Sequence, residues 1–154
     1  MADNLAGNYI LGQDITLTSE WTPVGTDNSP FTGTFNGNGK VIKNLQINLS
    51  GSDRIGFFGH AQNATIQNAG FENVNVVGRN DVGAVVGRLR GATVNQCYVT
   101  GYVEGNDHVG AIVGGGDGDA KGTISNCYAY AYIYTRSSQV GGIIGTIKNT
   151  HVLN

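Results

Sequence analysis

A chain of 154 residues with a formal net charge of −2 and 13% charged residues is sized for one domain and carries no electrostatic footprint for nucleic acid. No apolar run approaches the roughly 18 residues needed to cross a bilayer, so nucleic acid and membrane insertion are both set aside. Glycine is the outlier at 25 residues against 2 prolines, which excludes a collagen or a proline-rich linker and points to regularly placed turns.

At the start of the chain, Met1-Ala2-Asp3-Asn4 shows no basic region followed by a hydrophobic stretch. No secretory signal is expected in these residues, so export would need a signal already removed or another route. Around Tyr9-Ile10-Leu11 and Ile15-Thr16-Leu17 apolar and polar residues alternate with the strand period, predicting first strands that cover the N-terminal end of the core. Trp21 to Pro30 contains both prolines and several turn formers, and predicts an ordered loop with Trp21 packed over the open end of the core. Asn36-Gly37-Asn38-Gly39 is a turn signal that demands positive φ, and the stretch from Val41 to Leu49 reads as a strand. Residues 1–40 are thus expected to form capping strands and a loop, and residues 41–154 the repeat coils of one domain.

The chain then counts itself out in one phrase. Ile55-Gly56-Phe57-Phe58-Gly59, Val82-Gly83-Ala84-Val85-Val86-Gly87, Val109-Gly110-Ala111-Ile112-Val113-Gly114 and Val140-Gly141-Gly142-Ile143-Ile144-Gly145 begin 27, 27 and 31 residues apart (55 to 82, 82 to 109, 109 to 140). A second motif follows each: Thr65-Ile66-Gln67-Asn68, Thr93-Val94-Asn95-Gln96, Thr123-Ile124-Ser125-Asn126 and His151-Val152-Leu153-Asn154. Alternation continues downstream through Ala69 and Phe71, then Cys97 and Val99, then Cys127, Ala129, Ala131 and Ile133. Strands at this spacing, with no helical period between them, do not fit a βαβ plan. They predict a solenoid whose coils stack about 4.8 Å apart by parallel pairing. Equivalent positions should lie above one another, with Ile42, Ile66, Val94, Ile124 and Val152 as one apolar column. Asn44, Asn68, Gln96, Asn126 and Asn154 would form a ladder of side-chain amides, each donating to one neighbour and accepting from the other, worth about 1 kcal/mol per buried bond.

The glycine phrases, together with Gly122-Thr123-Ile124-Ser125-Asn126-Cys127-Tyr128, resemble the GLUG repeats of bacterial surface proteins, including adhesins and the non-catalytic regions of IgA-protease-type proteins. The segments Gly7 to Ile15 and Phe31 to Ile42 are similar to the stretch that precedes those repeats. The resemblance implies an all-β fold, a right-handed parallel β-helix (β-solenoid) of about five to six coils, located extracellularly or at a bacterial cell surface. It brings no catalytic residues with it.

Among the residues themselves, the outward set on two successive coils is unusual: Tyr98, Thr100 and Tyr102 on one, Tyr128, Tyr130, Tyr132 and Tyr134 on the next. Tyr98 should stack on Tyr128 and Tyr102 on Tyr132. Cross-strand pairing alone accounts for such tyrosines at about 0.2–1 kcal/mol per pair, while a flat aromatic face also suits contact with a glycan or protein surface. Cys97 and Cys127 share an inward position, as two reduced core thiols or as a disulfide. The loops ahead of the glycine phrases stack Arg54, Asp81, His108 and Gln139, with an Arg54–Asp81 charge pair expected.

Other constellations are weaker. Asp117 and Asp119 lack the remaining ligands of a calcium loop. Asn36-Gly37-Asn38-Gly39-Lys40 fails as a phosphate loop because Thr34 and Val41 stand where glycine and a hydroxyl residue belong. His60, His108 and His151 share no metal-ligand spacing, so no metal and no cofactor is expected. Polysaccharide-cleaving enzymes resemble this architecture but cluster carboxylates on a sheet face, whereas here the acids are spread over turns. The expected function is therefore non-enzymatic: a surface adhesin or spacer module binding a glycan or protein through the tyrosine face. The alternative is end-to-end self-assembly into a homo-oligomer through Val152, Leu153 and Asn154 at an uncapped coil.

Overall fold

The computed structural model describes residues 1–118 and 120–153. The chain forms β1 (Asn8–Ile10), β2 (Ile15–Thr16), β3 (Thr34–Lys43), β4 (Gln46–Asn48), β5 (Phe58–Gln62) and β6 (Thr65–Val77). The next two coils run β7 (Asn80–Val82), β8 (Val86–Arg90), β9 (Thr93–Asn95), β10 (Tyr98–Gly105) and then β11 (Asp107–Gly110), β12 (Val113–Gly116), β13 (Gly122–Ser125), β14 (Tyr128–Thr135). The last strands are β15 (Val140–Gly141), β16 (Ile144–Thr146) and β17 (Thr150–Leu153). Every pairing between them is parallel. The result is a β-solenoid of about five turns, as the repeat spacing predicts. One long sheet follows the order β1-β3-β6-β9-β13-β17, and two smaller ones run β15-β11-β7 and β16-β12-β8-β5.

The apolar column at Ile66 holds in the repeats but not before them. Its members are Tyr9, Phe35, Ile66, Val94, Ile124 and Val152. Ile42 belongs to another column, with Ile15, Phe71, Val99 and Ala129. The misplacement has a physical cause. Asn44, at φ 59°, turns a different corner of the coil and pairs with Asn73 rather than with Asn68, its Oδ1 accepting from Asn73 Nδ2 at 2.8 Å. Asparagine follows an isoleucine at both corners because both demand a left-handed residue.

The amide ladder is likewise corrected. Asn68, Gln96 and Asn126 do stack, at φ 55°, 51° and 52°, but what they share is the left-handed corner. Their side chains bond diagonally instead, Asn68 to Asn36 Oδ1 at 3.3 Å and Asn126 to Asn95 Oδ1 at 3.0 Å. Asn154 lies outside the described residues.

Glycine at the phrases answers a need for space. A Cβ on Gly83 would stand 2.6 Å from the Gly114 nitrogen, and one on Gly114 would strike the Asp81–Val82 peptide. The two small sheets meet backbone to backbone at this corner.

The core is aromatic at the N-terminal end, where Phe31, Phe35, Phe58 and Phe71 are fully buried. Each is worth about 1.5–3 kcal/mol in apolar burial. Further along it narrows to Val85, Val94, Ile112 and Ile124. Trp21 closes the wide end as expected: its ring stacks on Phe57 at 4.3 Å and its indole Nε1 donates to the Phe57 carbonyl at 2.9 Å.

Register also locates the irregularities. The offset between coils is 27 at Val86/Val113, 30 at Thr93/Thr123 and 31 at Val109/Val140. Most of the added length of the third repeat thus enters between Gly116 and Gly122, with one further residue after Thr135. The shorter first phrase shifts the offset from 27 at Ile55/Val82 to 28 at Phe58/Val86. A bulge at Asn73 restores 27 at Val74/Gly101.

Candidate functional site

On β10 and β14 strand alternation sends one set of side chains to the core and the other to solvent. Val99 and Val103 are fully buried. The outward set pairs Tyr98 with Tyr128, Thr100 with Tyr130, Tyr102 with Tyr132 and Glu104 with Tyr134, so both predicted tyrosine pairs are in register. The Tyr98 and Tyr128 rings stack at 5.1 Å with 3° between their planes. Tyr98 leans back over Gly70, where a Cβ would lie 2.5 Å from its ring carbons.

The six tyrosines divide by what their hydroxyls meet. Tyr98 donates to Glu72 at 2.7 Å, and that bond, with burial and the carboxylate charge, pushes its pKa up to about 12. Tyr102 donates to Glu104 at 2.8 Å and is raised by the same cause. Tyr128, Tyr130, Tyr132 and Tyr134 are 61%, 82%, 80% and 49% exposed.

A groove of about 480 Å³ crosses this face, and the bulge shapes it. Its two sides are rows of outward residues from three successive coils: Asn73, Thr100 and Tyr130 on one, Asn75, Tyr102 and Tyr132 on the other. Val74 and Gly101 lie between the rows. Gly101 stands at φ 132°, and a Cβ there would collide with Val74 backbone, so only glycine closes the bulge. The Asn73 amide nitrogen donates to Thr100 Oγ1 at 3.2 Å, tying one row together. Thr100 points outward as the alternation predicts, whereas Asn73, Asn75 and Gly101 carry no such expectation. The readable signal was a glycine inside an otherwise alternating strand, which marks a bulge or a close approach. A second, smaller groove of about 270 Å³ lies at the corner lined by Asn38, Asn68, Gln96 and Tyr98.

The remaining candidates resolve into structural contacts. Cys97 and Cys127 are free and buried, with the Cys97 amide donating to Cys127 Sγ at 3.4 Å. The expected Arg54–Asp81 pair is absent. Arg54 reaches instead to Asp27 at 2.7 Å, on the loop that covers this corner, while Asp81 is bonded by Arg88 and by His108 Nδ1 at 3.0 Å. Asp117 is held by Arg88 at 3.2 Å, and Asp119 lies outside the described residues. Among the described residues no three His, Cys, Asp or Glu side chains are placed to hold a metal ion. Val152 and Leu153 are 38% and 55% exposed on β17.

Comparison with known proteins agrees with the architecture. The chain is 34% identical to halomucin of Haloquadratum walsbyi over 145 residues, covering 78% of this chain and 2% of that protein. It is 29% identical to the immunoglobulin A1 protease of Streptococcus pneumoniae, covering 97% of this chain and 8% of that one. The chain therefore spans a small fraction of the length of these relatives. A crystal structure of a provisionally assigned immunoglobulin A1 protease from Bacteroides ovatus superposes with a TM-score of 0.62 over 94% of this chain and 57% of that one; at 24% identity the likeness concerns the fold. Residues 1–101 match the profile described as the M26 IgA1-specific metallo-endopeptidase N-terminal region, and the chain belongs to that family.

Proposed function

We propose that this chain is a non-enzymatic module of an extracellular or surface protein, and that its tyrosine face makes the contact with a glycan or protein surface. The observation that carries the reading is the exposure of Tyr130 and Tyr132, 82% and 80%, beside a groove that a bulge and Gly101 keep open. Large rings left in water supply contact area at low entropic cost. Relatives that are secreted or surface proteins support the location. On the same face Glu72 and Glu104 are both engaged by tyrosine hydroxyls and neither lines the groove, which supports the non-enzymatic reading.

A glycan array and a panel of host surface proteins, probed with the wild type and with a Tyr130→Ala/Tyr132→Ala variant, test the reading. The expected result is a positive signal that the double variant lowers at least about tenfold. A positive signal unchanged by the variant overturns the tyrosine face as the contact.

A second reading, association of copies through the β17 end, is favoured by the exposure of Val152 and Leu153 together with Ile147 at 59%. Light scattering across concentrations decides it, because end-to-end association requires mass to grow with concentration.

A further inference from the structure

We propose that the groove between Tyr130 and Tyr132 binds a neutral, linear polysaccharide laid parallel to the direction in which the coils stack. The inference rests on the tyrosine face being a contact surface, and goes further in naming the ligand class and its orientation.

Spacing is the first argument. Tyr130 and Tyr132 lie two residues apart on β14, so their roots are separated by about 6.6 Å. That is close to the ~7 Å needed for a flat ring in van der Waals contact on both faces, at about 3.5–4 Å to each. Ala131 between them turns to the core, so no side chain fills the gap. The same two-row spacing continues beneath, through Thr100 and Tyr102 and then Asn73 and Asn75. Rows therefore run along the stacking direction, with one step per coil of about 4.8 Å. A step of that size is close to the length of one sugar residue in an extended chain. A peptide strand adding to a sheet runs along the strands, at right angles to these rows.

Lining chemistry is the second argument. The six residues forming the rows offer amides, hydroxyls and aromatic faces and no formal charge. Asn75, Tyr130 and Tyr132 make no side-chain bond among the described residues, and Thr100 is bonded as an acceptor, leaving its proton free. Sugar hydroxyls donate and accept, which such groups match, while the C–H face of a pyranose packs on a tyrosine ring. An acidic polysaccharide finds no cation in the rows, and a protein partner of ordinary size asks for roughly 800 Å² of matching surface rather than a slot one ring wide.

The test uses the whole chain and defined oligosaccharides of four to six units: neutral gluco-, manno-, xylo- and galacto-oligosaccharides, with oligogalacturonate and an extended tyrosine-free peptide as controls. Calorimetry should show binding to at least one neutral series, with affinity rising as units are added across the three coils. That affinity should be unaffected by raised ionic strength. Tyr130→Ala and Tyr132→Ala should each weaken it about tenfold or more, and Asn75→Ala several-fold; all three side chains are exposed, so circular dichroism should remain that of the wild type. If no neutral series binds, or only the acidic one does, the polysaccharide proposal is overturned. Loss of peptide or protein binding in the Tyr130 and Tyr132 variants would then keep the contact face while rejecting the ligand class. Neutral binding indifferent to both tyrosines overturns the groove as its site.

Discussion

Tyr98 and Tyr130 stand on the same face of one sheet and differ in what their hydroxyls meet. The Tyr98 hydroxyl is held by Glu72, so its phenol ionises only near about 12. Because the folded-state pKa lies above the ordinary value of 10.0, the stability this bond contributes is fully present below pH 10 and is lost as pH rises through about 12. Ultraviolet titration should therefore show two raised tyrosines, Tyr98 and Tyr102, and Tyr98→Phe should remove the step near about 12. Nothing in the sequence separates Tyr98 from Tyr130, since each is an outward tyrosine in a strand. The acid that binds Tyr98 sits on the neighbouring coil, 26 positions away. A similar separation governs the cysteines. Pairing with Cys127 and burial push the Cys97 thiol up, while Cys97, whose amide donates to Cys127 Sγ at 3.4 Å, holds Cys127 below the ordinary value, so two identical residues at one register position are shifted in opposite directions.

At the scale of the element, the glycine corner carries the clearest consequence for stability. A Cβ on Gly114 meets the Asp81–Val82 peptide and the Gly87 carbonyl, all backbone held by parallel pairing and unable to yield. Gly114→Ala should cost about 3 kcal/mol or prevent folding, whereas Gly142→Ala, which meets nothing within 4 Å, should be neutral or slightly stabilising. Urea midpoints of the two variants check this, and equal midpoints would contradict the close approach. The corners and strands of the repeats were legible because period-two burial and recurrent glycine are local in the chain. The bulge at Asn73 was not. It arises where β6 keeps the left-handed corner of the coil below, Asn73 matching Asn44 at an offset of 29 on both sides, while β10 passes the same point one residue shorter, so the offset to β10 falls from 28 to 27. The groove of the candidate site therefore owes its shape to β10 carrying one residue fewer than β6 opposite Asn73.

For the whole molecule, the wide N-terminal end and its covering loop set the response to acid. His60 is buried under this loop, with Nδ1 at 3.1 Å from Asp27 Oδ1. Burial pulls its pKa below 6.5; Asp27 opposes the shift, and Arg54 and Arg88 add to it. The unfolded chain then binds a proton that the folded one refuses. The contribution is complete above about 6.5 and is lost as pH falls from there through the lowered value. Thermal midpoints should drop on acidification across that window, and His60→Gln should flatten the drop; an unchanged slope would remove His60 from the account.

By itself the sequence determined the coil length, the inward and outward faces, the stacking of Tyr98 on Tyr128 and the positive φ of the turn at Asn38-Gly39, because each follows from spacing along one strand or between adjacent copies, or from turn residues. Tertiary structure decided the rest: which corner Asn44 turns, which acid Arg54 meets, which tyrosines are bound and which are free, and where the groove opens. Those outcomes depend on register summed over several coils, and a single residue gained or lost upstream changes every contact above it without altering the local pattern from which the strands are read.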